Sequence, residues 1–142
     1  MEVKFYDNAD DSLLSFAVIV AKYEDQWVFC KHKDRETYEV PGGHREAGED
    51  ILATAKRELY EETGAAEYEI LPVSVYSVRN DTGTLKAPEE TFGMLYYADI
   101  HRFDELPEYE IEKIIIQEEY PEQWTYPLIQ PFLMEKILQV IG

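Results

Sequence analysis

Residues 43–65 read G-H-R-E-A-G-E-D-I-L-A-T-A-K-R-E-L-Y-E-E-T-G-A, and the fold assignment starts from their spacing. Gly43, Glu49, Arg57, Glu58, Glu61, Glu62 and Gly64 fall into the pattern G-x5-E-x7-R-E-U-x-E-E-x-G-U, with Leu59 and Ala65 at the apolar positions U. From the chain's own residue frequencies such a match arises by chance on the order of once in a million, which separates it from short motifs that any acidic chain matches. Locally the segment reads as a glycine-rich loop entering a helix. Gly42-Gly43 after Pro41 permits a tight turn and close backbone approach to a ligand. Ile51, Leu52, Ala55 and Leu59 recur at helical spacing and predict one apolar stripe. Thr63-Gly64 stops the helix, because Gly64 can take the left-handed cap conformation.

Glu58, Glu61 and Glu62 stand three and four residues apart on this helix and project from one face beside the apolar stripe. Like charges at that spacing repel, and only Glu61 has a basic residue, Arg57, one turn back. Three converging carboxylates without local compensation suit a hard divalent cation such as Mg²⁺, which binds oxygen ligands and bridges them to phosphates. A solvated acidic helix face is the competing reading. The flanking glycines, Glu49 and Arg57 at fixed offsets weigh against it.

The pattern resembles that of the Nudix hydrolases. The resemblance implies an α/β fold, an α/β/α sandwich with a mixed β-sheet and a loop-helix-loop catalytic box. It implies that Glu58, Glu61 and Glu62 ligate Mg²⁺ or Mn²⁺, with the Gly42 carbonyl as a further ligand. Glu58 would also be the general base, and Arg57 and Glu49 a structural ion pair that orients the helix. The reaction implied is metal-assisted hydrolysis of a phosphoanhydride. Family members often add one more carboxylate after the box, catalytic or metal-binding. Glu110, in Glu110-Ile111-Glu112-Lys113, is the favoured candidate over Glu112, Glu89, Glu90, Glu118 and Glu119. Gly43 and Arg45, in the box loop, are the candidates for touching substrate.

The remaining composition narrows the partners. The chain has 142 residues, enough for one domain spanning 1–142 with a sizeable core. Its formal net charge of −17 argues against a broad nucleic-acid-binding surface. A polyanionic substrate then needs metal to invert the local charge. Basic residues gather at Lys31, His32, Lys33, Arg35, His44 and Arg45, either a phosphate-steering patch or ordinary solubilising charge. The lone Cys30 excludes an internal disulfide and reads as a buried strand residue in a reducing compartment. The N-terminus lacks a signal pattern and no apolar run spans a membrane, so a cytoplasmic protein is expected. Homodimers are common among the relatives, though no stretch here requires one.

Along the chain, Leu13–Ala21 and Trp27–His32 read as strands joined by a polar turn at Lys22–Gln26. Thr37–Val40 leads into the box. Glu67–Val78 reads as a strand interrupted near Pro72, Asn80–Glu90 as a loop containing Asp81, Gly83 and Pro88. Thr91–Ile100 predicts a strand, His101–Glu108 a loop, Ile111–Ile116 a strand. The tail from Pro127 predicts a closing helix with Pro131 in its first turn. Tyr38 is expected to pack against the box loop. Phe16, Tyr96 and Tyr97 are candidates for base stacking, with core packing the commoner role. His101 could meet substrate, though a strand-end histidine is usually structural.

The run W-V-F-C-K-H-K-D-R-E-T-Y-E-V-P-G-G and the short architecture resemble the MutT-like branch, which includes 8-oxo-dGTP diphosphatases. This implies a nucleotide substrate, most simply a nucleoside triphosphate split to monophosphate and pyrophosphate. ADP-ribose, a dinucleoside polyphosphate, or an RNA 5′ end (disfavoured by charge) are the enzymatic alternatives. A non-hydrolysing nucleotide sensor is the alternative from another class.

Overall fold

The computed structural model describes residues 2–80 and 89–141. The strands are β1 (Glu2–Tyr6), β2 (Leu14–Tyr23), β3 (Gln26–His32), β4 (Tyr38–Glu39) and β5 (Gly42–His44), then β6 (Ala65–Asn80), β7 (Glu89–Phe103) and β8 (Ile111–Gln117). The helices are α1 (Ile51–Thr63) and α2 (Gln130–Ile141). All eight strands join one sheet in the order β1-β6-β7-β2-β3-β4, with β5 also on β2 and β8 also on β3. The pairing of β2 with β7 is parallel and the others are antiparallel.

Strand periodicity explains why both faces of this sheet are covered. Ala17, Ile19 and Ala21 of β2 face α1, where they meet Ile51, Ala55 and Leu59. Val20 points the other way, into a second core with Phe29, Tyr76, Leu95 and Leu133, Met134 and Ile137 of α2. The result is the expected α/β/α sandwich on a mixed sheet. The β2–β3 hairpin closes on Glu24 and Asp25, both with positive φ (50° and 64°), as a two-residue turn matching strand twist requires.

Several boundaries differ from the sequence reading, each for a physical reason. Leu52 is exposed; the buried stripe of α1 is Ile51, Thr54, Ala55, Leu59 and Thr63. His101 to Phe103 belong to β7 rather than a loop, because Phe103 and Arg102 find partners in Ala65 and Glu67 directly after the helix. β6 runs unbroken past Pro72, with a register shift between Pro72 and Ser74 absorbing the missing donor. Asn80 and Glu89 pair as strand residues, while Asp81, Gly83 and Pro88 lie outside the described residues. α2 begins at Gln130, after a turn in which the Ile129 and Gln130 amides donate to the Tyr126 carbonyl. Pro131 does fall in its first turn. β1 was not anticipated; it adds antiparallel to β6 through Val3–Val78 and Phe5–Tyr76. Among the described residues no helix is long and apolar enough to cross a membrane.

One detail of the sheet positions the site. β2 shares its edge, pairing through Phe16–Val18 with β5 and through Ala21–Tyr23 with β3. A Cβ on Gly42 would lie 2.6 Å from the Ala17 carbonyl oxygen, so β5 reaches this register only with glycine there. Leu59, fully buried where α1 meets the sheet, anchors the helix behind that loop. Replacing Leu59 with Ala should lower stability by about 2–5 kcal/mol, seen as a drop in urea midpoint at unchanged slope.

Candidate active site

The box helix is fixed at both ends by its sequence. Asp50 caps the N-terminus, its carboxylate accepting the Ala53 amide at 2.8 Å. Gly64 (φ 78°) ends the helix in the left-handed conformation, and its amide donates to the Tyr60 carbonyl at 2.8 Å. Between them Arg57 is the hub. Its Nε and Nη2 donate to the two oxygens of Glu49 at 2.6 and 3.1 Å. Its Nη1 donates to Glu58 Oε1 at 2.6 Å and Glu61 Oε2 at 3.1 Å, and Nη2 also reaches the His44 carbonyl at 2.9 Å. Glu49 Oε1 additionally accepts from the Glu46 amide and the Thr54 hydroxyl, both at 2.9 Å. Loop, helix and strand β5 are therefore tied to one guanidinium.

These bonds set the charge states. The hydrogen bond from Arg57 and that from the Glu46 amide hold the Glu49 carboxyl down at about 2. Burial pushes Glu58 above the usual carboxylate range; Arg57 pulls it back, and Glu61 and Glu110 push it up again. Glu62 accepts the Gly42 amide at 2.7 Å. Burial nonetheless raises its carboxyl to about 8, against that hydrogen bond and with the charges of Glu58, Glu39 and Glu110 adding to the rise.

The carboxylates stand between two hollows. A cavity of about 610 Å³ takes Phe16, Val18, Val40, Tyr76 and Leu133 as apolar walls. A smaller one of about 240 Å³ is bounded by Arg57, Glu61, Tyr109 and Ile111. Glu46, Glu58, Glu62 and Glu110 line both. The larger volume lies in the range of small-molecule sites. Gly42 and Gly43 line it, and a Cβ on Gly43 would fall 2.5 Å from Glu58 Oε1, so glycine lets the loop lie directly on the carboxylate.

Other sequence candidates are distributed unevenly. Glu110 joins the carboxylate row and meets His32 Nε2 at 3.2 Å. Glu112 turns away to Lys31, at 3.2 Å. Arg45 lines neither cavity. Its guanidinium is taken up by the Asp11 carboxylate at 2.6 Å and by the carbonyls of Asp11, Leu14 and Glu49. It clamps the loop, and the arginine that does line the larger cavity is Arg35. Phe16 forms part of that cavity, edge-on to Tyr76 at 5.4 Å, whereas Tyr96 and Tyr97 pack in the two cores. Tyr38 packs with the α2-side core, its amide donating to the Gln123 carbonyl. Cys30 is buried, its thiol donating to the Glu39 carbonyl at 3.4 Å; burial pushes that thiol up, with Glu62, Glu39 and Glu58 adding to the rise.

Three lining residues escaped the sequence reading. Glu39 is a buried carboxylate bonded to Arg35 at 3.1 Å. Gln130 buries its amide oxygen on the Val40 amide at 2.9 Å, and Tyr126 precedes α2. A charged residue inside the apolar run leading to Pro41 was the available signal for Glu39. Glu69, Asp99 and His101 bring ligand atoms within 4.8 Å of one another, but none of them lines either cavity.

Residues 12–126 match the family model of the NUDIX domain. The chain belongs to the Nudix hydrolase family. Members of that family hydrolyse phosphoanhydride bonds, and as a family they generally use divalent metal ions. Among Nudix relatives, YtkD of Bacillus subtilis (strain 168), provisionally named an 8-oxo-dGTP diphosphatase, is 30% identical over 82% of this chain and 70% of its own length. The Nudix fold is shared with the Bacillus subtilis pyrophosphohydrolase BsRppH at a TM-score of 0.77 and 21% identity, covering 96% of this chain and 90% of that one. It is shared also with the NUDIX domain of Shewanella oneidensis NrtR, crystallised with ADP ribose, at a TM-score of 0.64 and 14% identity over 95% of each chain.

The Glu49–Arg57 link has a testable pH signature. A carboxyl held down at about 2 when folded lends stability that is present above its unfolded pKa near ~4.3 and is lost as pH falls toward 2. Thermal melts between pH 6 and pH 2.5 should show that loss in the native protein, and Glu49→Gln should flatten it while lowering the melting temperature at pH 7.

Proposed function

We propose that this Nudix chain hydrolyses a nucleoside triphosphate to the monophosphate and pyrophosphate, with 8-oxo-dGTP the first substrate to test. The observation that carries this reading is the row of Glu58, Glu62 and Glu110 between a large, partly apolar cavity and a small polar one. A nucleoside suits the apolar walls of the first, and a diphosphate suits the second, which is smaller and lined by carboxylates and Arg57. The name carried by YtkD supports the choice of an oxidised purine.

The donor set fits a divalent cation. Glu58, Glu61 and Glu62 each commit one oxygen, to Arg57 or to the Gly42 amide. That leaves the second oxygen of each without a protein donor among the described residues. Such hard oxygens, with the Gly42 carbonyl and Glu110, are what Mg²⁺ or Mn²⁺ takes. When bound, the ion would supply Lewis acidity to phosphoryl oxygens and acidify water.

The chain's own groups do the rest. Glu58, raised by burial, takes the proton of the attacking water. Arg57 fixes that carboxylate's rotamer through Nη1, so that Oε2 is the oxygen presented. Glu49 holds Arg57, and Gly43 lets substrate phosphate approach the loop backbone. Phe16 and the apolar wall exclude water around the nucleoside. By the same reading the protein is cytoplasmic and acts on free nucleotides.

A nucleotide panel with Mg²⁺ or Mn²⁺, scoring released pyrophosphate, tests the substrate. Glu58→Gln should cut turnover by about 10²–10⁴-fold with nucleotide affinity kept; unchanged turnover would sink the proposal. Metal removal supplies a second test. A carboxyl raised to about 8 when folded contributes stability that is complete below its unfolded pKa and is lost as pH rises through 8. The metal-free protein should therefore lose stability between pH 5 and pH 9. Added Mg²⁺ should restore it most at the alkaline end, with proton release near pH 7 measurable by calorimetry in buffers of different ionisation heat.

A further inference from the structure

We propose that His32 is a positioning residue for Glu110, holding its carboxylate at the rim shared by the two cavities; this rests on the reading of the carboxylate row given above. Glu110 closes the connection between β7 and β8, and its side chain is 78% exposed. Glu46, Glu58 and Glu62 line the same two cavities, so like charge drives the Glu110 carboxylate outward, toward water. His32 opposes this. His32 Nε2 lies 3.2 Å from Glu110 Oε2.

Two independent features show that the ring is held for this contact. His32 Nδ1 is buried without a hydrogen-bond partner among the described residues. That leaves the Nε2 contact with Glu110 as the ring's hydrogen bond among the described residues. The backbone carries the second feature. β3 and β8 pair one to one from Trp27–Gln117 to Lys31–Lys113, then slip so that His32 faces Ile111 and Glu112 is left over. Such a bulge re-aims side chains beside functional sites. It is pinned on both sides, by Lys31 Nζ on the Glu112 carboxylate at 3.2 Å and by the Lys33 amide on the Glu110 carbonyl at 2.8 Å. The extra residue thus turns Glu112 away and brings Glu110 back to the imidazole.

The test compares His32→Gln, whose amide nitrogen reaches the place of Nε2, with His32→Asn, whose amide reaches only Nδ1, and with His32→Ala. In the metal-free protein, hydrogen exchange over residues 107–111 should rise several-fold in the Asn and Ala variants and stay native-like in Gln. In the hydrolysis assay kcat should fall by about tenfold or more for Asn and Ala, with KM little changed and Gln restoring the rate. Combined with Glu110→Gln, which removes the carboxylate through which His32 acts, His32→Ala should add no further loss. If Ala fails to fold, the Gln–Asn pair decides alone. Equal behaviour of Gln and Asn, unchanged exchange, or losses that multiply with Glu110→Gln would overturn the inference. Intact turnover in Glu58→Gln would instead sink the hydrolytic reading, and the exchange comparison would still decide the role of His32.

Discussion

The architecture of the site depends on a single guanidinium. Arg57 spends its donors on Glu49, Glu58, Glu61 and the His44 carbonyl, so one planar group joins the loop, the helix and strand β5. Lysine could not do this, because a point charge lacks the fork that meets Glu49 with two parallel bonds. The hub also keeps the carboxylates close. Without it, three glutamates within one helical turn and a half would repel one another.

That proximity has an electrostatic consequence. The larger cavity is lined by Glu39, Glu46, Glu58, Glu62 and Glu110, against Arg35, His32 and His44. In a chain of net charge −17 such a cleft repels free polyphosphate. Burial raises the Glu58 and Glu62 carboxyls first, and the neighbouring glutamates add to the rise. On the function proposed above, cations at the row itself would offset that charge for an anionic substrate.

The box was legible because its residues fall at fixed spacings: the one-faced carboxylates follow from a 3.6-residue period, the helix stop from Gly64, and the Glu49–Arg57 pair from the family pattern. The sandwich was legible because apolar residues in β2 and β3 serve two opposite cores. What escaped was set by partners distant in sequence. Arg45 could not be separated from Arg35 as the cavity arginine, because the Asp11 carboxylate and the carbonyls of Asp11, Leu14 and Glu49 claim it. Glu39 and Gln130 acquire their places through the 123–130 segment, ninety residues from β4. Leu52 obeyed the apolar pattern yet faces solvent, since the stripe of α1 was narrower than its composition. β7 outran its predicted end because cross-strand partners, not local propensity, decide where a strand stops.

The thiol of Cys30 sits at the centre of β3, donates to the Glu39 carbonyl, and is held protonated by burial and three nearby glutamates. In this conformation it is blind to alkylating reagents and mild oxidants, since only a thiolate in contact with water reacts quickly. Its modification therefore waits until β3 parts from β4 or β8, the strands paired at Cys30. The chain's one cysteine is thus a built-in clock for opening of the sheet at β3, readable with any thiol dye and without introducing a foreign label.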